Sequence, residues 1–286
     1  MKQDYFLEKI SESITFSRKR TLGNASYAYH RHDACEVVLF YEGDIRFYIE
    51  QTCFTPSRGS LVVLNPNEMH RMQSVGDAPY ERIVLNVKKS YLDELSTEEF
   101  NLADCFYKRP LGTGNLRTLS PDQMVEFEEL YRKLESSVQD GLGKSIERNA
   151  YAALLLLWIN RRYLGGQGKV INVMPSYVSG VMQYVLERLD EPICLERLAN
   201  RFHVSPGYLS TQFKKHTGLT LREYLLDKKI DYAKTLLLQG ANVTEACYQA
   251  GFGDYANFIR SFKKVTGMSP GRFKSAYLRG LAISKR

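Results

Sequence analysis

Apolar positions change their spacing twice along this chain. Between Ser26 and about Val87 they fall in short runs broken by turn residues. Cys35-Glu36-Val37-Val38-Leu39-Phe40-Tyr41 is almost wholly apolar and stops at Glu42-Gly43-Asp44, a turn signal. Ile45-Arg46-Phe47-Tyr48-Ile49 alternates, Gly59 to Leu64 stops at Asn65-Pro66-Asn67, and Tyr80 to Val87 is a further strand-like run. Short strands at close spacing predict a small β-barrel or sandwich.

From Ser120 the period becomes helical. Met124, Phe127, Tyr131, Leu134 and Val138 recur three to four apart after Ser120-Pro121, a capping residue followed by proline at the first helical position. A second helix is predicted from Lys144 to Tyr163. Its Ala152–Ile159 stretch is apolar nearly all round, which predicts burial on more than one side. Leu164-Gly165-Gly166-Gln167-Gly168 then reads as a flexible linker.

Beyond Pro175 every periodic segment is helical, and the chain repeats itself. Phe213-Lys214-Lys215-His216-Thr217-Gly218 recurs as Phe262-Lys263-Lys264-Val265-Thr266-Gly267. In the first copy Leu195, Leu198, Ala199 and Phe202 form the stripe of one helix and His203-Val204-Ser205 the turn. Ser205 and Pro206 start the next helix, which Gly218 ends. A longer helix is predicted from Leu221 to Gln239. The second copy opens at Asn242 with Glu245 three residues on, turns at Gly251-Phe252-Gly253, and restarts behind Asp254 as a cap. Two helix–turn–helix units in tandem suit entry into two successive major grooves of DNA.

With Leu209 and Phe213 facing inward, Gly207, Ser210, Thr211, Lys214 and Lys215 form the outer face of the first unit's second helix. In the second copy Phe258 and Phe262 face inward, and Tyr255, Ala256, Asn257, Arg260, Ser261 and Lys264 face out. The candidate DNA-binding residues are therefore Ser210, Thr211, Lys214, Lys215, Tyr255, Asn257, Arg260, Ser261 and Lys264. Arg260 matches guanine with two hydrogen bonds and Asn257 matches adenine. Ser210 and Thr211 are short enough to read thymine methyls or to work through water. Lysines near the helix end suit phosphate.

Charge sharpens this division. The net charge of +7 is uneven: from Pro175 onward there are 17 Lys and Arg against 9 Asp and Glu, while the first 174 residues carry 22 against 23. A basic half behind a near-neutral half suggests a polyanion-binding module attached to something else. The five cysteines (Cys35, Cys53, Cys105, Cys194, Cys247) are scattered, odd in number and without metal-ligand spacing, so they are expected to be reduced core residues. No apolar segment opens the chain, and the longest apolar run, Tyr151 to Ile159, is too short to cross a bilayer. A cytoplasmic chain with no membrane partner is the expectation.

Residues Ile193 to Leu278 resemble the tandem helix–turn–helix domain of AraC/XylS-type bacterial transcription regulators. The second copy carries the resemblance most fully: Ala250-Gly251-Phe252, Asn257-Phe258, Phe262-Lys263-Lys264, Thr266-Gly267, Ser269-Pro270 and Phe273. The resemblance implies two recognition helices held at fixed spacing by the connecting helix, each entering one major groove. Three positions depart from it. Cys194 stands where a capping Ser or Thr is usual, Cys247 replaces an Ala, and Gly207 offers no side chain where one often reaches DNA.

In the N-terminal half, His30, His32, Glu36 and Gly43 are similar to a first cupin motif, and Gly59 to Pro66 followed by His70 to a second. Glu68 stands near where that second motif has glycine, and the spacing from Pro66 to His70 is one residue short. His30 and His32 alternate onto one side of a strand. Three imidazoles and a carboxylate are a donor set for Fe, Mn, Ni or Zn. The same residues also suit the polar lining of a small-molecule pocket, or plain structural hydrogen bonding. Arg46 and Tyr48 are weaker pocket candidates. No nucleophile–base order and no phosphate-cradling glycine loop is present.

Together these readings predict a multidomain α and β protein. Residues 1–166 would be a cupin-like ligand-binding and dimerisation domain, and residues 174–286 an all-α tandem helix–turn–helix domain. The expected function is non-enzymatic: a sequence-specific regulator that binds double-stranded DNA and responds to a small molecule, a sugar being the first candidate. Its ligand-binding residues would be His30, His32, Glu36, Arg46, Tyr48 and His70, with no cofactor. The resemblance implies a homodimer formed through the Ser120–Tyr163 helices. Two alternatives stay open: a metal-dependent cupin enzyme fused to a DNA-binding module, with His30, His32, Glu36 and His70 as ligands, or a ligand-independent regulator whose barrel only dimerises.

Overall fold

The computed structural model describes residues 5–22, 29–137, 141–164, 174–191 and 193–275. The expected linker glycines, Ser26, Val138 and Leu278 lie outside these residues. The chain divides into two compact units, residues 8–173 and residues 174–286 together with 1–7.

In chain order the strands are β1 (Tyr5–Glu8), β2 (Ile14–Thr21), β3 (Tyr29–His32), β4 (Cys35–Glu42), β5 (Ile45–Ile49), β6 (Thr52–Phe54), β7 (Ser60–Leu64), β8 (His70–Ser74) and β9 (Tyr80–Val87). Helices α1 (Lys89–Leu95) and α2 (Asp104–Tyr107) follow, then β10 (Leu116–Thr118), α3 (Pro121–Ser136) and α4 (Lys144–Leu164). The helical unit contributes α5 (Ser176–Glu187), α6 (Leu195–Arg201), α7 (Pro206–Thr217), α8 (Leu221–Leu238), α9 (Val243–Gln249) and α10 (Tyr255–Thr266).

Strands β10, β7, β4, β9 and β2 lie side by side in that order, and β3, β8, β5 and β6 form a facing sheet. The observed pairings are antiparallel. The N-terminal fold is thus a cupin-like pair of sheets.

The uninterrupted apolar run of β4 has a simple cause: both faces of the strand are covered. Val38 and Phe40 point between the sheets, where they meet Phe47, Ile49, Phe54, Val62, Leu64, Met72 and Val84. Cys35, Val37, Leu39 and Tyr41 point the other way, into a core shared with Phe127, Leu134, Leu155, Leu156 and Ile159 of α3 and α4. A strand buried on both faces loses the period-two alternation that a half-exposed strand keeps. The same shared core accounts for the apolar stretch of α4, and α3 starts on a full capping box between Ser120 and Gln123.

The helical unit follows the capping chemistry in the sequence. Ser205 accepts from the Tyr208 N–H, and Asp254 accepts from the Asn257 N–H. Asn242 and Glu245 form a capping box, as do Thr220 and Glu223. Gly218 and Gly267 end α7 and α10 in the left-handed conformation that glycine adopts without steric cost. Cys194 stands at the start of α6 without capping it by its side chain, and it is exposed. This corrects the expectation of five core cysteines, since only the other four are buried. Around the second helix pair, Phe258 and Phe262 join Ile230, Ala233, Leu236, Leu237, Ala246, Cys247 and Ala250 in one core.

Candidate functional site

The two candidate DNA-reading faces come from equivalent helices in equivalent settings. Helix α7 packs on α6 and α8, and helix α10 packs on α9 and α8. Leu209 and Phe213 are fully buried beneath α7, and Phe258 and Phe262 beneath α10. That anchoring leaves Gly207, Ser210, Thr211, Lys214 and Lys215 exposed on the first helix, and Tyr255, Ala256, Asn257, Arg260 and Lys264 on the second. Ser261 lies at the margin, half-buried, with its Oγ donating to Asn257 Oδ1 at 3.4 Å. It therefore steadies the Asn257 amide instead of standing out from the face.

Aligning Phe213 with Phe262 places Tyr208 at the position of Asn257. Tyr208 is half-exposed and belongs to the face, but reading outward positions from Leu209 and Phe213 alone passes over it. The 49-residue offset between the copies was the signal that finds it. Its ring lies 6.0 Å from that of Tyr177 at the start of α5, so this end of α7 carries an aromatic pair. Gly207 has open space where a Cβ would project; the neighbouring tyrosine supplies the bulk that the glycine lacks.

Lys214 and Lys215 occupy the last turn of α7, and Lys263 and Lys264 the last turn of α10. Cations at a helix C-terminus face favourable backbone carbonyls, and ammonium groups on this last turn suit phosphate.

The second cluster lies in the β unit. Strand register puts His30 directly opposite His70, and His70 opposite Ile49. His30, His32 and His70 are buried, and one ring nitrogen from each lies within 4.8 Å of the others. Their ring centroids are 4.5 to 5.2 Å apart. Glu36, on the inward face of β4 two residues before Val38, closes the group. Its Oε2 stands 3.0 Å from His70 Nε2 and 3.4 Å from His32 Nε2. Burial by itself lifts the Glu36 carboxyl, but the neighbouring His32 and His70 rings outweigh it and hold the group well below the usual carboxylate range.

Glu68 explains why the second cupin-like motif departs from its pattern. It is fully buried, and Arg109 Nη1 donates to its Oε1 at 2.6 Å. The Gly112 N–H donates at 2.7 Å, the Asn65 N–H at 3.0 Å, and Asn115 Nδ2 reaches both oxygens at 3.1 Å. Its backbone carbonyl lies 3.0 Å from His70 Nδ1. A glycine there would remove the carboxylate on which four residues converge.

Arg46 and Tyr48 do not join the cluster, which corrects their reading as pocket lining. They pair with Gln73 and Arg71 across β5 and β8, whereas Phe47 pairs with Met72 and Ile49 with His70. The strand period of two therefore sends Arg46 and Tyr48 to the opposite face from the histidines. Arg46 is exposed; Tyr48 is buried, with the Arg71 guanidinium 4.3 Å from its ring centroid.

Comparison with known proteins identifies both domains. Residues 19–156 match the AraC-like ligand binding domain, and residues 198–276 match the helix-turn-helix domain model. The HTH-type transcriptional activator RhaR of Cronobacter sakazakii is 25% identical over 255 residues, covering 85% of this chain and 85% of that protein. The RhaR activator of Salmonella schwarzengrund is 21% identical over 280 residues, covering 96% and 95%. Among solved structures, ToxT from Vibrio cholerae O395 matches with a TM-score of 0.36 at 12% identity, covering 92% of this chain and 97% of that one. With a ligand-binding domain followed by paired helix–turn–helix units along nearly its whole length, this chain belongs to the AraC family of DNA-binding transcription regulators.

Proposed function

We propose that the protein activates transcription from double-stranded DNA when a small molecule, a sugar in the first instance, occupies the His30/His32/Glu36/His70 end of the β unit. The relatives above are named activators, which gives the direction of the response. Helices α7 and α10 are the reading elements, with Arg260, Asn257, Tyr208, Thr211 and Ser210 toward the bases and Lys214, Lys215 and Lys264 toward phosphates. The observation that carries this reading is the repetition of one exposed, basic-ended face on two helices, each with a side-chain N-cap, a left-handed glycine at its end and apolar anchors at equivalent positions.

The protein acts as a cytoplasmic homodimer in this reading. Among the described residues no helix is long and apolar enough to cross a membrane. Helices α3 and α4 pack on each other and leave Val125, Ile146 and Leu154 exposed at separate points, apolar side chains that a second copy would cover. A ligand shifts such a regulator only through unequal affinity for two arrangements of its units. No enzymatic step is assigned.

The test is operator binding and transcription measured with and without a panel of sugars, after a thermal-shift screen has found a stabilising one. Tighter binding or higher transcription with the stabilising sugar supports the reading. Equal affinity and equal transcription throughout reject the regulatory pocket.

A further inference from the structure

We propose that His30, His32, His70 and Glu36 hold a divalent first-row transition-metal ion, so that the ligand end of the β unit is a metal centre. This rests on reading that end as the ligand site, and it departs from the expectation of a cofactor-free chain.

The argument starts from His70. Its Nδ1 lies 3.0 Å from the Glu68 carbonyl oxygen, which only accepts hydrogen bonds, so Nδ1 carries the proton. In the neutral ring Nε2 then presents a lone pair. What it faces, at 3.0 Å, is the Glu36 carboxylate oxygen, another lone pair, in a setting closed to water. Two acceptors at that distance repel unless a positive charge lies with them. One remedy is a second proton on the ring. The other is a cation between the groups, and the remaining neighbours favour it.

Those neighbours are two further imidazoles. The three rings converge nitrogen atoms within 4.8 Å of one another. Around one tetrahedral ion at about 2.0–2.1 Å, two nitrogens lie roughly 3.4 Å apart, so the widest pair closes by about 1.4 Å, shared between two buried rings. Three protonated imidazoles packed this closely would repel one another strongly, whereas neutral imidazoles around one ion do not. The donor set also selects the ion. Three ring nitrogens and one carboxylate oxygen suit Zn, Fe, Co, Ni or Mn, whereas Ca and Mg take oxygen ligands.

The shell behind the ligands is built as well. Glu68 orients His70 through its carbonyl, and its own carboxylate is fixed by Arg109, Asn115 and the Asn65 and Gly112 N–H groups. A carbonyl partner on the far ring nitrogen fixes tautomer and orientation in metal-ligating histidines. A metal here would leave coordination positions for oxygen atoms of the effector, which selects hydroxyl- or carboxylate-bearing molecules.

The test uses the full chain, stripped with a chelator and dialysed against Zn²⁺ or Co²⁺ alone. About one equivalent per chain is expected in the wild type and in Arg260→Ala, with less than about a tenth retained by His70→Ala and His30→Ala at unchanged far-UV dichroism. Glu36→Gln should retain the ion at least tenfold more weakly. Because the alanine variants risk misfolding, the Co²⁺ spectrum of the wild type is a second readout, and it should show nitrogen–oxygen coordination without a thiolate charge-transfer band. A wild-type chain that retains no ion, a His70→Ala chain that binds as tightly as wild type, or a thiolate band would each overturn the proposal. A chain that holds the ion but binds operator equally with and without effector keeps this site and removes the regulatory reading. A chain that responds to effector yet holds no ion does the reverse.

Discussion

A Cβ placed on Gly251 would stand 2.2 Å from the Leu189 carbonyl oxygen. Gly251 is the turn residue of the second helix–turn–helix unit, at φ +72, and Leu189 follows α5. Lys229 of α8 locks the same spot by donating to the Gly251 carbonyl at 2.5 Å. Three segments of the helical unit therefore meet at one backbone position where only hydrogen fits. Gly251→Ala adds left-handed strain to a backbone clash and should cost on the order of 3 kcal/mol. Gly253→Ala, with nothing within 4 Å of its Cβ, should stay within about 0.5 kcal/mol of wild type. Urea unfolding followed by helical dichroism compares the two.

Glu68 and Arg109 make a second sharp prediction. Removing one member of a buried, hydrogen-bonded pair leaves the other charge without compensation. Arg109→Met should destabilise the β unit by about 3–5 kcal/mol, and adding Glu68→Gln should recover part of that loss. If the double variant unfolds as easily as Arg109→Met, the stranded charge is not the cause.

DNA binding should separate base readers from phosphate binders. Arg260→Ala should cost about 1–3 kcal/mol on the preferred operator and relax the preference at one base pair. Tyr208→Ala should weaken operator binding more than binding to random DNA. Lys214→Ala and Lys264→Ala should weaken all sequences alike, lowering the log–log salt slope by about 0.9 for each phosphate left without its lysine. A uniform loss in Arg260→Ala would remove it from base reading.

Alkaline pH should loosen the β unit. Burial raises the Cys35 thiol from 9.0 to about 12 and the Cys53 thiol from 9.0 to about 11. Above pH 9 the unfolded chain releases these protons and the folded chain keeps them. The folded state then binds more protons, so stability falls as pH rises, until the folded thiols titrate near 11 to 12. Cys35 contributes up to about 1.4 kcal/mol per pH unit in this window. Urea midpoints taken from pH 8 to 10.5 should fall, and less steeply in Cys35→Ala.

The sequence was most readable where structure is local. The caps at Ser205, Asp254 and Asn242 and the ends at Gly218 and Gly267 are set by residues within one turn of each other. Repetition added what a single helix does not show: comparison of the two copies identifies Tyr208 beside Asn257. The strands were less legible. Arg46 and Tyr48 share the β5 segment with Phe47, and the alternation separates the two sets without saying which faces the histidines. That is decided by the pairing of β5 with β8.

What the amino-acid order determines by itself is therefore the tandem helical module, its exposed outer faces and the charge asymmetry, because each depends on residues a few positions apart. The cupin-like motifs already grouped His30, His32, Glu36 and His70; what only the tertiary structure decided is their distances, the exclusion of Arg46 and Tyr48, and the work of Glu68. Those depend on strand register and on residues such as Arg109 and Asn115, distant in sequence and brought together when two sheets close over a shared core.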